Sequence, residues 1–309
     1  MAIVTQVLPL REVFIYIGHT QNPILGPYWD NIAKRIQMFE EINAYRQQKG
    51  LFPWKVHQVE GENLEKRLSE IDPKTSLMVI PAGQSSNLDR VFSDEELKAL
   101  MEFFQKGGRG YLTCGAAYWV SKIRDYEGFF EENPEHLKRV KKESRIPLFK
   151  GTAVGPLCSF PGSKYQVGFY SDAVTIINQT GKSCTVFLSG GGSFVLPPMS
   201  EQRVRVLSRY PENELRRLEK EENLKQLQNA SIMVEVGKGG LVLAMYHPYY
   251  GAKDIEVERY EQAFPDSGTN WKQVHNRLSS LEDRVAWVYE SVFIPLETLD
   301  FEERKENLF

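Results

Sequence analysis

Residues 76–119 read SLMVIPAGQSSNLDRVFSDEELKALMEFFQKGGRGYLTCGAAYW. The run Ser76–Pro81 is apolar without alternation, which predicts a strand buried on both faces. A loop, Ala82–Asn87, follows it. Ser93 and Glu96 then stand in the spacing of a capping box. Leu97, Leu100, Met101 and Phe104 mark the apolar face of the helix that box would start, and Gly107-Gly108 would stop it. Gly110–Thr113 reads as a second buried strand, ending on Cys114. Strand, helix and strand in that order make a βαβ unit, which requires parallel pairing.

Working outward, Val13-Phe14-Ile15-Tyr16-Ile17 predicts another buried strand, closed by a loop at Gly18–Pro23. Trp29, Ile32, Ala33, Ile36 and Phe39 fall at helical spacing, with Pro27 suited to the first turn. Trp54–Val59 alternates as a strand. Residues 124–145 carry blocks of acidic then basic residues and predict a solvated helix or excursion. Residues 146–210 are β-rich, and Gly190-Gly191-Gly192 reads as a tight turn between strands. Residues 211–229 predict a charged helix. Ser231–Val236 and Leu241–Tyr246 are strands. Leu278, Leu281, Val285, Val288 and Val292 predict one last helix docked on the sheet. The expectation is a three-layer α/β fold of flavodoxin-like type. It has a mainly parallel sheet, a core over about 11–123 and 146–295, a β-rich insertion, and one domain spanning 1–309.

The composition bounds function. Hydrophobic residues make up 41% of the 309 and charged residues 26%, as in a globular protein. A net charge of −3 gives no electrostatic footprint for nucleic acid. No stretch reaches membrane-span length, and the N-terminus lacks a basic signal region. Cys114, Cys158 and Cys184 have neither disulfide-framework nor metal spacing. These features predict a cytoplasmic protein that handles a small molecule without cofactor, metal, nucleic acid or membrane.

Cys114 is the leading candidate for chemistry. A cysteine between a buried strand and the small residues that open a helix is placed like a nucleophile at an elbow. A helix N-terminus favours the thiolate, so a lowered thiol pKa is expected. His247 follows the last buried strand as Cys114 follows a central one, and parallel strands end at a common edge. The two are therefore expected to meet as nucleophile and proton shuttle. Gly83, Gln84 and Gly115 are candidate backbone donors to an oxyanion. His19, Tyr118 and Tyr249 are candidate pocket residues. The aromatics Tyr16, Tyr28, Trp29, Trp119, Tyr246 and Tyr250 fit either a stacking pocket or ordinary core. A redox role for Cys114 ranks behind these, since no resolving cysteine adjoins it in sequence.

Taken in order, Val13–Gly18, Val79–Gly83, Gly107–Tyr118, the glycines before Ser193-Phe194, and His247-Pro248 resemble the class I glutamine amidotransferase superfamily. Within it they resemble the amidotransferase-like N-terminal domain of eukaryotic-type biotin–protein ligases. The resemblance covers roughly 11–295 and implies Cys114 as nucleophile and His247 as base. It also implies small glycines two positions either side of the nucleophile and a carboxylate two residues after the histidine. Here those positions hold Leu112, Ala116 and Tyr249. Two functions follow as expectations: a cysteine-dependent hydrolase acting on a carboxamide-type carbonyl, or a catalytically silent binding or regulatory module on the same scaffold.

Overall fold

A computed structural model of the chain describes residues 9–19, 22–23, 31–81, 85–130, 133–158, 170–218, 227–263, 265 and 267–298. The side chains of 19, 22–23, 31, 85–87, 128–130 and 133–138 are excepted. Its strands in chain order are β1 (Glu12–His19), β2 (Asn22–Pro23), β3 (Lys55–Glu60), β4 (Ser76–Ile80), β5 (Arg109–Thr113), β6 (Ser121–Phe130) and β7 (Asn133–Glu143). They continue as β8 (Phe149–Gly155), β9 (Ser171–Asn178), β10 (Ser183–Ser189), β11 (Ser193–Val195), β12 (Val204–Arg209), β13 (Asn229–Val236) and β14 (Gly239–Ala244). The helices are α1 (Asn31–Gln48), α2 (Leu64–Glu70), α3 (Ser85–Val91), α4 (Asp94–Gln105), α5 (Gly115–Trp119), α6 (Glu212–Arg217), α7 (Val257–Ala263), α8 (Trp271–Arg277), α9 (Leu281–Val288) and α10 (Ile294–Glu297).

The main sheet runs β10-β9-β12-β13-β14-β5-β4-β1-β2, with β3 also on β1. β3, β1, β4, β5 and β14 are mutually parallel. The continuous apolar runs explain this half. Val13, Ile15, Leu77, Val79, Tyr111 and Val242 face one core, while Phe14, Met78, Ile80, Leu112, Leu241 and Leu243 face the other. A strand with side chains alternating between two cores has no polar face to show. Each such burial is worth about 1.5–3 kcal/mol over exposure. α1, α8, α9 and α10 cover the first face with Met38, Phe39, Ile42, Val274, Val288 and Leu296. α2, α4 and α5 cover the second with Leu64, Leu68, Leu97, Leu100, Phe103, Phe104 and Trp119. Helices thus lie on both faces of the sheet, as expected of a three-layer α/β fold.

The capping box forms as expected: Glu96 N–H donates to Ser93 Oγ at 3.2 Å and Ser93 N–H to Glu96 Oε2 at 2.7 Å. Gly107 closes the helix at φ +115°, a region where an L side chain is strained. The apolar face of α4 includes Phe103, while Met101 is exposed.

Three expectations change. The β-rich stretch 146–210 divides between two sheets. β9, β10 and β12 extend the main sheet in antiparallel fashion. β8 and β11 join β6 and β7 in a second sheet of order β11-β8-β6-β7. Within 124–145 the described residues pair as β6 and β7 in antiparallel fashion in place of a helix. Their alternating charges suit opposed strands: Asp125 lies across from Lys141 and accepts two bonds from Arg139, at 2.6 and 3.0 Å. The final helix is broken. Ser280 caps α9 by accepting from Asp283 N–H at 3.1 Å, which leaves Leu278 at the end of α8. One π-helical turn, Tyr289–Phe293, leads into α10. Among the described residues, no helix is long and apolar enough to cross a membrane.

Candidate functional site

β5 and β14 are adjacent and parallel, with Thr113 opposite Ala244. Cys114 N–H donates to the Ala244 carbonyl at 2.7 Å. Cys114 directly after β5, and His247 three residues past Ala244 after β14, therefore both follow adjacent parallel strands at the carboxyl edge of the sheet. His247 is pinned as well: its N–H donates to the Phe187 carbonyl of β10 at 2.8 Å.

Cys114 has φ +49° and ψ −116°. It is the one non-glycine at positive φ among the described residues. Such a backbone costs about 1–3 kcal/mol and persists where the surroundings enforce it. Here the strand bond on one side and the tightly packed α5 on the other enforce it. Leu112 and Ala116, in place of the flanking glycines, are both fully buried.

Cys114 is half-buried as a residue, with its thiol turned inward and Sγ 4.0 Å from the Ser189 carbonyl. Desolvation pushes its pKa up to about 11. The Gly115 N–H, the Arg35 charge and the Gly191 N–H pull in the other direction without prevailing. The expected thiolate at neutral pH is thus corrected to a protonated thiol. α5 has only five residues, too few for a strong macrodipole.

His247 is buried, and its pKa falls to about 3 through desolvation and the nearby Arg35 charge. The ring is neutral at pH 7. Its Nδ1 lies 2.5 Å from the Tyr249 hydroxyl. Among the described residues no hydrogen bond joins His247 to Cys114. The fold brings the expected pair to one edge, but the expected contact is not made.

Tyr249, at the position where the resemblance implies a carboxylate, orients His247 instead. Its hydroxyl accepts from Arg35 Nη2 at 2.7 Å. The same Nη2 donates to Thr113 Oγ1 at 2.5 Å, and the guanidinium carbon sits 4.3 Å from the Tyr249 ring centroid. That stacking adds a cation–π attraction. Sequence reading missed Arg35 and Thr113. A signal existed for Arg35, which stands with Ile32, Ile36 and Phe39 on the stripe of α1 that should be apolar.

The other candidates fall as follows. Gly115 opens α5 and bonds the thiol. Tyr118 is a brace: its hydroxyl donates to the Gly191 carbonyl at 2.9 Å. A Cβ at Gly192 would fall 2.0 Å from that hydroxyl and 2.6 Å from the Val154 carbonyl, so glycine is required for the fit. Gly83 and Gln84 lie outside the described residues. His19 ends β1, and its side chain also lies outside them. Tyr16 stacks on Phe92 and Phe92 on Trp119; Tyr246 packs edge-on to Trp287. These aromatics are core. Tyr28 and Trp29 lie outside the described residues.

A family model described as "Biotin-protein ligase, N terminal" matches residues 50–302. The chain belongs to this family. A biotin–protein ligase from Schizosaccharomyces pombe is 28% identical over 187 residues, 59% of this chain and 27% of that protein. The match therefore spans about a quarter of the length of that curated relative. Among solved structures, a glutamine amidotransferase aligns with TM-score 0.45 and 11% identity over 83% of this chain and 99% of that one. A ThuA-like protein from Bacteroides uniformis aligns with TM-score 0.42 and 10% identity over 91% of each chain.

Proposed function

We propose that this member of the family is a binding or regulatory module that keeps the nucleophile-elbow scaffold without running amidase chemistry. One observation carries the reading: the ring of His247 is hydrogen-bonded to Tyr249 and not to Cys114. A cysteine nucleophile at neutral pH needs a base within hydrogen-bond reach or a lowered pKa. Among the described residues no base is hydrogen-bonded to Cys114, and its thiol is pushed up to about 11. The similarity to a biotin–protein ligase suggests the setting, a module that serves biotin–protein ligation. The candidate contact for a small molecule is the sheet edge where Cys114 remains partly accessible.

A second reading is favoured by the strained backbone of Cys114. A positive φ at a cysteine is what an elbow nucleophile requires, and an inert residue gains nothing from it. In that reading Cys114 attacks a carboxamide-type carbonyl, Gly115 N–H helps hold the oxyanion, and His247 shuttles the proton. The test is ammonia release from L-glutamine and simple primary amides by the intact chain and by Cys114→Ala. No release above the Cys114→Ala background is expected. Release that depends on Cys114 would replace the first reading with the second.

A further inference from the structure

We propose that Arg35 and Tyr249 are positioning residues that hold His247 in the tautomer protonated on Nε2, so that its imidazole presents a proton there and not a lone pair. The inference rests on the non-catalytic reading and gives it a cause. Where a carboxylate follows the histidine, it accepts from Nδ1–H and leaves Nε2 free to act as a base. A phenol can do the reverse. Arg35 Nη2 donates to the Tyr249 oxygen at 2.7 Å, and guanidinium has no acceptor to offer in return. The single hydroxyl proton must therefore be used elsewhere.

Two acceptors compete for it: Thr113 Oγ1, which already accepts from Arg35, and His247 Nδ1 at 2.5 Å. Imidazole nitrogen is a far stronger base than an alcohol oxygen, and a phenol is a better donor than a neutral imidazole N–H. The positive guanidinium 4.3 Å from the ring centroid polarises the O–H further in that direction. Phenol to Nδ1 is the stronger of the two bonds, and it places the imidazole proton on Nε2. Neither Arg35 nor Tyr249 need touch a ligand for this. They act through His247.

The test is nitrogen-15 NMR of the imidazoles in the full-length chain at neutral pH, with His247 assigned by the signal lost in His247→Gln. The expected spectrum has His247 Nδ1 at the shift of an unprotonated acceptor and Nε2 at that of a protonated nitrogen. Tyr249→Phe should convert this single tautomer to a mixture, and Arg35→Gln should shift it part of the way. A wild-type spectrum with the proton on Nδ1 overturns the proposal without recourse to any variant. A Tyr249→Phe spectrum identical to wild type overturns the role of Tyr249. Alkylation of Cys114 on the same samples separates this from the functional reading. Slow labelling with Nδ1 protonated defeats the tautomer assignment alone. Rapid, His247-dependent labelling at neutral pH defeats the non-catalytic reading itself.

Discussion

Two arginine clusters lie on different halves of the main sheet and, among the described residues, are bonded to different kinds of group. On the antiparallel half, Glu214 accepts from Arg217 at 3.0 Å, from Arg277 at 2.9 Å and from Thr175 N–H at 3.1 Å. Asp172 accepts from Arg217 at 2.6 Å. Each cation there meets a carboxylate, and the cluster acts as a joint between α6, α8 and β9. On the parallel half, the Arg35 bonds that reach the site end on hydroxyls, Thr113 and Tyr249. A cation bonded to a hydroxyl polarises it, and one of these hydroxyls faces His247. The first cluster holds elements together; the second sets the state of a side chain.

The contrast breaks most sharply at Glu214. Replacing it with alanine leaves Arg217 and Arg277 to share the remaining carboxylate of the cluster, Asp172, beside a half-buried Thr175 amide that has lost its acceptor. Breaking a buried pair of this kind costs about 3–5 kcal/mol. Urea unfolding of Glu214→Ala should show a loss near the lower end of that range, because the arginines keep some solvent contact. A loss under about 1 kcal/mol would mean that water already screens the cluster as at an exposed pair.

The next effect tests the other cluster through pH. A histidine with its folded pKa lowered to about 3 from 6.5 is neutral in both states above pH 6.5. Below that, the unfolded chain takes up a proton that the folded chain refuses. Stability is therefore full above about pH 6.5 and falls with pH towards 3, by up to about 1.4 kcal/mol per unit. The difference between wild type and His247→Gln should show this slope between pH 6.5 and 5, where carboxylates contribute little. Parallel curves would mean that water reaches the ring and that Arg35 is not felt there.

A smaller effect sharpens the account of Cys114. Glycine adopts positive φ at no steric cost, so Cys114→Gly should stabilise the fold by about 1 kcal/mol after its entropic penalty. Cys114→Ala keeps a Cβ and should not. Equal midpoints for both in thermal unfolding would remove backbone strain from the description of the elbow.

How much of this was legible in the sequence divides along the same line. The parallel half declares itself, because strands with both faces buried have no polar positions to blur them. Val13–Ile17 falls within β1 and Ser76–Pro81 covers β4, while Leu241–Tyr246 meets β14 but runs two residues past its end. The capping box at Ser93 also reads correctly, since it depends on two residues three apart. The β6–β7 pairing did not, because an exposed run of charges suits a helix or a strand alike until Asp125 is seen across from Lys141. The site was half legible. The positions of Cys114, His247 and Tyr249 follow from where strands end. The roles do not, because Arg35 reaches Thr113 and Tyr249 from 78 and 214 residues away, and no local pattern encodes that contact. The lowered thiol pKa was a fair inference from a helix N-terminus, but desolvation outweighs so short a helix.

The most direct test of the central claim is the alkylation rate of Cys114 against pH, followed by peptide mass spectrometry in wild type and His247→Gln. A thiol desolvated and uncoupled from histidine should label slowly at neutral pH. Its midpoint should lie above the free-thiol value of about 8.5, towards about 11, and the substitution should leave it in place. A midpoint well below 8.5 that rises when His247 is replaced would contradict the account and establish a working Cys114–His247 pair.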